Sequence, residues 1–134
     1  MSVTYLDIFS STDNIREAGS GEVYRRTSAS RAYYGAYHCA LRYANEVGAG
    51  VPLSSYVGGT HQVLSDFYSD PNSKDEFAKR RKSIGYMLKQ AHVIRCLADY
   101  ELDEDFSEEA LNGHVAQCLM IAEKVRKVAE EVGA

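Results

Sequence analysis

Residues 22–47 read EVYRRTSASRAYYGAYHCALRYANEV, and this stretch decides the fold. Its apolar and small residues recur in alternating steps of four and three, which is the spacing of one face of an α-helix. The predicted inward stripe consists of Val23, Thr27, Ser30, Tyr34, Tyr37, Leu41 and Ala44. A further set of small residues, Ala29, Ala32, Ala36 and Ala40, would let a second helix approach closely. We therefore expect a long, central helix.

The remainder of the chain is also predicted to be helical, because only two prolines interrupt it and helix-favouring residues are frequent. The other expected helices cover residues 5–15, 60–68, 77–98 and a last stretch that ends near Val132, with a glycine-rich loop at 48–59. Thr60 is the expected N-cap of the short helix, and Asp105 with Glu108 resembles a capping box for the last one. The stripe of the fourth helix includes Arg81 and Arg95, which is unusual. The prediction is an all-α, up-and-down bundle of about five helices, three of them long.

Length and composition are typical of one soluble domain that spans residues 1–134. The apolar and charged fractions are 45% and 25%, and the net charge of −4 argues against a protein whose whole surface binds nucleic acid. The N-terminal sequence MSVTYLDIF lacks a basic region followed by an apolar run, and no run of about 18 apolar residues occurs. We therefore expect a cytoplasmic protein without a membrane partner.

The three cysteines indicate neither disulfides nor a metal site. Cys39, Cys96 and Cys118 lie far apart among apolar residues, which is typical of reduced thiols in a protein core. No Cys-x-x-Cys pair and no Glu-x-x-His motif occurs in the chain. The sequence therefore predicts no metal and no cofactor.

The densest candidate for a functional site lies within the central helix. Arg31, Tyr34 and His38 share one helix face because they are three and four residues apart. An inward-pointing arginine needs a carboxylate or an anionic ligand, and His38 could exchange protons with that ligand. The alternative interpretation is structural: Tyr33, Tyr34 and Tyr37 would be core aromatics, and Arg31 would pair with an acid on another helix.

A second candidate segment ends the fourth helix, where Arg95 and Asp99 are four residues apart and can form an ion pair beside Tyr100. A helix-ending ion pair with a packed tyrosine explains this pattern equally well. A third candidate is the run Lys79, Arg80, Arg81 and Lys82, which follows Asp75 and Glu76. It is either a solvated face or a patch that binds the phosphates of RNA or a nucleotide.

Three blocks of the sequence resemble a known family. YRRTSASRAYYGAYHCA at 24–40, THQV at 60–63 and RCLADYELDEDFSEEA at 95–110 are similar, in this order, to blocks of small prokaryotic HEPN-domain proteins. The resemblance covers about residues 24–125. It implies a helical bundle, commonly a homodimer, from toxin–antitoxin, defence or nucleotide-linked systems, in which a nucleotidyltransferase is a frequent partner protein.

Many HEPN proteins are metal-independent RNases whose site is a late arginine followed four to six residues later by histidine. Here the matching arginine is Arg95, and it is followed by Cys96, Asp99 and Tyr100 without that histidine. His38 could instead take the proton of the RNA 2′-hydroxyl, with Arg31 or Arg95 stabilising the charged phosphorus intermediate.

Two functional hypotheses follow from these patterns. In the first, the chain binds RNA or a nucleotide in a groove lined by Arg31, Tyr34, His38 and Arg95, with Tyr37, Asp99 and Tyr100 beside it, and acts as an RNase. In the second, it is a non-catalytic module that docks a partner protein such as a nucleotidyltransferase.

Overall fold

The residues that the structure describes form five α-helices, as the sequence predicts. The computed structural model describes residues 3–46, 53, 56, 58–70 and 76–133. The helices are α1 (Tyr5–Ala18), α2 (Glu22–Glu46), α3 (Thr60–Ser69), α4 (Ala78–Tyr100) and α5 (Glu108–Gly133). The prediction of a helical bundle with three long members is confirmed. The predicted helix end at Val47, most of the 48–59 loop and residues 71–75 lie outside the described residues.

Two predicted helix starts are wrong by one or two residues. Thr60 is the first helical residue of α3, and Gly59, which lacks a side chain to accept a bond, occupies the N-cap. At the start of α5, the hydroxyl of Ser107 accepts a hydrogen bond from the backbone N–H of Ala110 at 3.1 Å. Ser107 therefore caps this helix in place of Asp105, because its side chain is at the right distance from the third helical N–H.

Helix α2 is central, since α1, α4 and α5 all pack against it and α3 packs mainly against α4. Its inward face is centred on the alanines, which are completely buried: Ala29, Ala32, Ala36 and Ala40. The predicted stripe is therefore wrong at its N-terminal end, where Val23 is 74% exposed. Small side chains are turned inward because three helices approach α2 at once, and Tyr34 remains half-buried at the edge of the core.

The predicted inward face of α4 is confirmed. Ile84, Leu88 and Ala91 are buried, and Arg81 is only 2% exposed. Cys39 and Cys118 are buried as predicted, and burial raises the pKa of these thiols to about 11 and about 12. Cys96 is half-buried at the surface of α4, so the prediction of three core thiols is wrong for this residue. No helix in the described ranges is both long and apolar enough to cross a bilayer.

Arg26 of α2 holds the C-terminal end of α4 in place through hydrogen bonds. Its buried guanidinium Nη1 donates hydrogen bonds to the carbonyl oxygens of Leu97, Ala98 and Glu101 at 3.1, 3.0 and 3.2 Å. The last carbonyls of a helix have no partner within the helix, so a cation placed there satisfies them and complements the helix dipole. Arg26 thereby sets where α4 presents its C-terminal side chains.

Glu22 completes this arrangement at the start of α2. Its carboxylate accepts a hydrogen bond from the backbone N–H of Phe106 at 2.8 Å and lies 3.4 Å from Arg26 Nη2. The bond from Phe106 is the main reason that the pKa of Glu22 is lowered. Residues 101–106, which connect α4 to α5, are thus bound to α2 through Arg26 at one end and Glu22 at the other.

Candidate functional site

Two arginines and two tyrosines from α2 and α4 form an alternating stack. Arg31 Cζ lies 5.0 Å and Arg95 Cζ lies 5.2 Å from the ring centre of Tyr34. Arg95 Cζ also lies 5.4 Å from the ring centre of Tyr100. We call these four residues the Arg–Tyr ladder. Each cation over an aromatic face contributes about 0.5–2 kcal/mol, depending on its exposure to water.

Asp99 holds the arginine at the centre of the ladder. Its Oδ2 lies 2.7 Å from Arg95 Nε, an ion pair whose N–H does not point along a hydrogen bond, and accepts a hydrogen bond from the Ser30 hydroxyl at 3.2 Å. Asp99 therefore connects α4 to α2. The ladder is open to solvent at its two ends, where Arg31 is exposed and Tyr100 is 67% exposed.

A pair of histidines lies beside the ladder. The rings of His61, in the first turn of α3, and His92 of α4 are 4.6 Å apart between centroids. The hydroxyl of Tyr33 lies 2.7 Å from His61 Nδ1. Burial lowers the pKa of both histidines, and the positive charge of Arg95 lowers each of them further. Both imidazoles are therefore neutral at neutral pH, and a neutral imidazole can accept a proton.

The surroundings of the histidine pair are aromatic. The ring of Tyr37 lies 5.1 Å from that of His61, and the ring of Tyr33 lies 5.6 Å from that of His92. Burial raises the pKa of Tyr33 well above its usual value, so its hydroxyl keeps its proton. His92 Nε2 also lies 3.6 Å from Cys96 Sγ. In the described part of the chain, no three His, Cys, Asp or Glu side chains are grouped so that they could hold a metal ion.

The structure brings together most of the residues singled out in the α2 and α4 segments. Arg31, Tyr34, Arg95 and Tyr100 form the ladder, and Asp99 supports it. Tyr33 and Tyr37 are buried core aromatics. Arg31 does not pair with an acid on another helix in the described residues, so that part of the structural interpretation is wrong.

His38 lies at the border of this site. It is exposed, with its ring centre 5.1 Å from that of Tyr37 and 6.4 Å from that of Tyr34. It also lines a groove between α1 and α2 together with Tyr5 and Leu41. His38 is thus next to Tyr34 of the ladder, and the ring centre of His61 lies 6.1 Å from that of the same tyrosine.

The basic run at the start of α4 is divided by the helical turn. Lys79 and Arg80 line a groove between α4 and α5, Arg81 points into the core, and Lys82 is exposed but does not line that groove. Arg80 forms an ion pair with Glu131 of α5. The four charges therefore do not form one continuous patch.

The sequence patterns missed the contribution of His61 and His92. His92 is three residues before Arg95 and seven before Asp99, so the three share a face of α4, and this spacing was the available signal. Nothing in the spacing indicates that His61, 31 residues earlier, meets them. The remaining histidine, His114, is a core residue whose Nε2 lies 2.9 Å from the carbonyl oxygen of Ala29.

No family model, no curated protein and no solved structure matches the chain.

Proposed function

We propose that this chain is a HEPN-like helical domain that binds RNA, or a single nucleotide, at the Arg–Tyr ladder. The alternation of cation and ring in Arg31, Tyr34, Arg95 and Tyr100 supports the proposal. Nucleobases stack on tyrosine rings and on guanidinium planes, and the phosphate that follows each base needs a cation.

The exposed ends of the ladder are where a ligand would bind. The ring of Tyr100 offers a free face for a base, and Arg31 offers a charge that is solvated before binding. Arg95 lies between the two rings, so its positive charge can be shared between Asp99 and an incoming phosphate. Since the whole chain carries a net charge of −4, binding would depend on this local group of cations.

The test is the affinity of the protein for a fluorescently labelled single-stranded RNA and for ATP, measured by anisotropy and calorimetry. Tyr100→Ala is expected to weaken RNA binding about fivefold or more, because one stacked base contributes about 1–3 kcal/mol. Tyr86→Ala is the matched control, since Tyr86 is an equally exposed tyrosine, at 64%, elsewhere on α4.

A second pair of variants tests the charge. Arg95→Gln is compared with Arg42→Gln, because both arginines form an ion pair with a carboxylate four residues later on a helix. RNA affinity is expected to fall in Arg95→Gln and to stay unchanged in Arg42→Gln. Equal affinities for all four variants would rule out the ladder as the binding site.

The enzymatic form of the proposal is metal-independent cleavage of RNA, in which the 2′-hydroxyl attacks phosphorus and the bond to the 5′-oxygen breaks. Arg31 or Arg95 would stabilise the charge on phosphorus, and His38 or the His61–His92 pair would accept and return the proton. The assay is cleavage of labelled RNA with a chelator present. Loss of cleavage in His61→Gln/His92→Gln but not in His38→Gln would assign the proton transfer to the pair. The opposite result would assign it to His38, and cleavage that survives Arg95→Gln and both histidine variants would exclude this mechanism.

The alternative function, a non-catalytic interaction module, is favoured by a different observation. A groove between α4 and α5 is lined by Val93, Ile94 and Ala110, and Val93 is 62% exposed. Such a surface suits a second copy of the chain or a partner such as a nucleotidyltransferase. Light scattering of the wild-type protein and of Val93→Lys tests the homodimer. A dimer that dissociates in the variant supports a homodimer interface at this groove, and a monomer in both proteins excludes such an interface.

A further inference from the structure

A basic groove lies between the first half of α4 and the second half of α5. Its polar lining consists of Lys79, Arg80 and Ser83 from α4 and Lys124 and Lys127 from α5. No described carboxylate lines it. Four cations and one hydroxyl thus surround a single groove, although the protein as a whole is acidic.

The charges of the groove are only partly compensated. Glu131 pairs with Arg80, and Glu123 Oε1 lies 3.3 Å from Lys127 Nζ. Among the described residues, no carboxylate forms an ion pair with Lys79 or Lys124. Two ammonium groups, one from each helix, therefore remain available to an anion.

The apolar part of the lining gives the groove a rigid base. It is formed by Ile84 and Val128, which are 0% and 1% exposed. Lysine side chains lay their methylene stems on apolar surface and keep the ammonium group in water. The packing of α4 on α5 thus places both lysine side chains in the lining of the same groove.

The groove is separate from the Arg–Tyr ladder. Arg80 and Arg95 are 15 positions apart on α4, which places them about 22 Å apart along the helix axis. The ladder lies between α4 and α2, whereas the groove lies between α4 and α5. A single nucleotide cannot reach both, so the two sites can be inactivated independently.

We infer that the basic groove is a second site, which binds phosphate groups through Lys79 and Lys124. Ammonium groups bind phosphate as point charges, and the neighbouring hydroxyl of Ser83 can donate a hydrogen bond to a phosphate oxygen. The phosphates belong either to the backbone of single-stranded RNA or to a free polyphosphate chain.

The experiment uses the full chain and two probes, a labelled single-stranded RNA and inorganic tripolyphosphate. Lys79→Gln/Lys124→Gln is compared with Lys89→Gln/Arg42→Gln, which removes the same number of positive charges from exposed positions outside the groove. Thermal unfolding of each variant verifies that it is folded. Affinity is measured between about 50 and 200 mM salt, where phosphate contacts lose strength steeply.

If the groove binds the RNA backbone, the groove variant weakens RNA binding about tenfold and lowers the slope of log affinity against log salt by about 1.4, or 0.7 for each lost phosphate contact. If it binds a free polyphosphate, calorimetry shows that tripolyphosphate binding is lost in the groove variant while the RNA affinity is unchanged. Identical behaviour of the groove variant and its charge-matched control with both probes would overturn the inference.

The ladder variant Arg95→Gln separates this inference from the proposed function. It is expected to retain tripolyphosphate binding at the groove. The tripolyphosphate measurement also remains informative if the ladder binds no RNA, since it does not depend on the ladder.

Discussion

The hydroxyl oxygen of Tyr33 lies 2.7 Å from Nδ1 of His61, and this contact joins the middle of α2 to the first turn of α3. Tyr33 is 2% exposed, so its hydroxyl has little access to water and depends on this partner. The contact also fixes the ring of His61 against that of His92.

Replacing Tyr33 by phenylalanine is expected to lower the free energy of unfolding by about 1 kcal/mol, because one buried hydrogen bond is lost. Tyr43→Phe is the control. Tyr43 is 3% exposed, and its hydroxyl has no hydrogen-bond partner among the described residues. Removing that hydroxyl is expected to be neutral or stabilising. Urea unfolding of both variants tests the difference, and an equal loss in the two would contradict the role of the Tyr33–His61 contact.

Stability is expected to decrease as the pH falls below about 6.5. Burial is the main cause of the lowered pKa of His61, His92 and His114, whose usual value is 6.5. The unfolded chain therefore binds protons at these residues before the folded chain does, so the stabilisation is complete above the usual pKa and is lost as the pH falls through the folded values.

Urea midpoints measured from about pH 8 to pH 5 verify this dependence. His61→Gln/His92→Gln is expected to flatten the curve, because it removes two of the three histidines whose pKa is lowered. An increase in wild-type stability on acidification across this range would contradict the expectation.

Loss of Arg26 is expected to be severe. Arg26→Met removes the donor to three carbonyl oxygens at and after the end of α4, and hydrogen bonds from charged groups contribute about 1.5–3 kcal/mol each. A decrease of about 2–3 kcal/mol in the free energy of unfolding is therefore expected, because the buried carbonyl of Ala98 loses its partner, whereas the carbonyls of Leu97 and Glu101 keep bonds from backbone N–H groups. Arg42→Gln breaks only an exposed ion pair and is expected to cost less than about 0.5 kcal/mol. A loss in Arg26→Met as small as this would show that water replaces the guanidinium.

Two glycines within helices should respond oppositely to alanine. A Cβ atom at Gly85 would lie 3.1 Å from Tyr68 Cβ and 3.2 Å from the carbonyl oxygen of Ser65, so Gly85→Ala must push α3 from α4 at a cost of about 1–3 kcal/mol. A Cβ at Gly113 meets no atom within 4 Å. Gly113→Ala is therefore expected to stabilise the protein by about 0.5–1 kcal/mol, through the better helix propensity of alanine. Thermal unfolding distinguishes the two, and stabilisation by both would show that α3 is not closely packed.

The helices could be predicted from the sequence where large apolar residues mark the inward face. The stripe of α4 is an example, because Ile84 and Leu88 define its direction. The prediction for the inward face of α2 is partly wrong because its core residues are mostly alanines, which are only weakly hydrophobic. The tyrosines of α2 suit either the core or its edge, so they do not define the direction of the face.

The candidate site could be predicted only within each helix. Spacing indicates that Arg31 lies beside Tyr34 and that Arg95 lies beside Asp99, because both pairs are local. That Arg95 stacks on Tyr34, and that His61 meets His92, depends on how α2, α3 and α4 pack together. The whole core determines how the helices pack, so the spacing of residues within one helix does not predict these contacts.

The hydrogen bonds of Arg26 also connect parts of the chain that are distant in sequence. Its partners Leu97, Ala98 and Glu101 lie 71, 72 and 75 positions further along the chain. Until they are in place, the described partner of this guanidinium on α2 is the carboxylate of Glu22, and its bonds to the carbonyls of α4 are not made. The contacts of Arg26 therefore join the N-terminal half to the end of α4, and we expect these distant segments to unfold together.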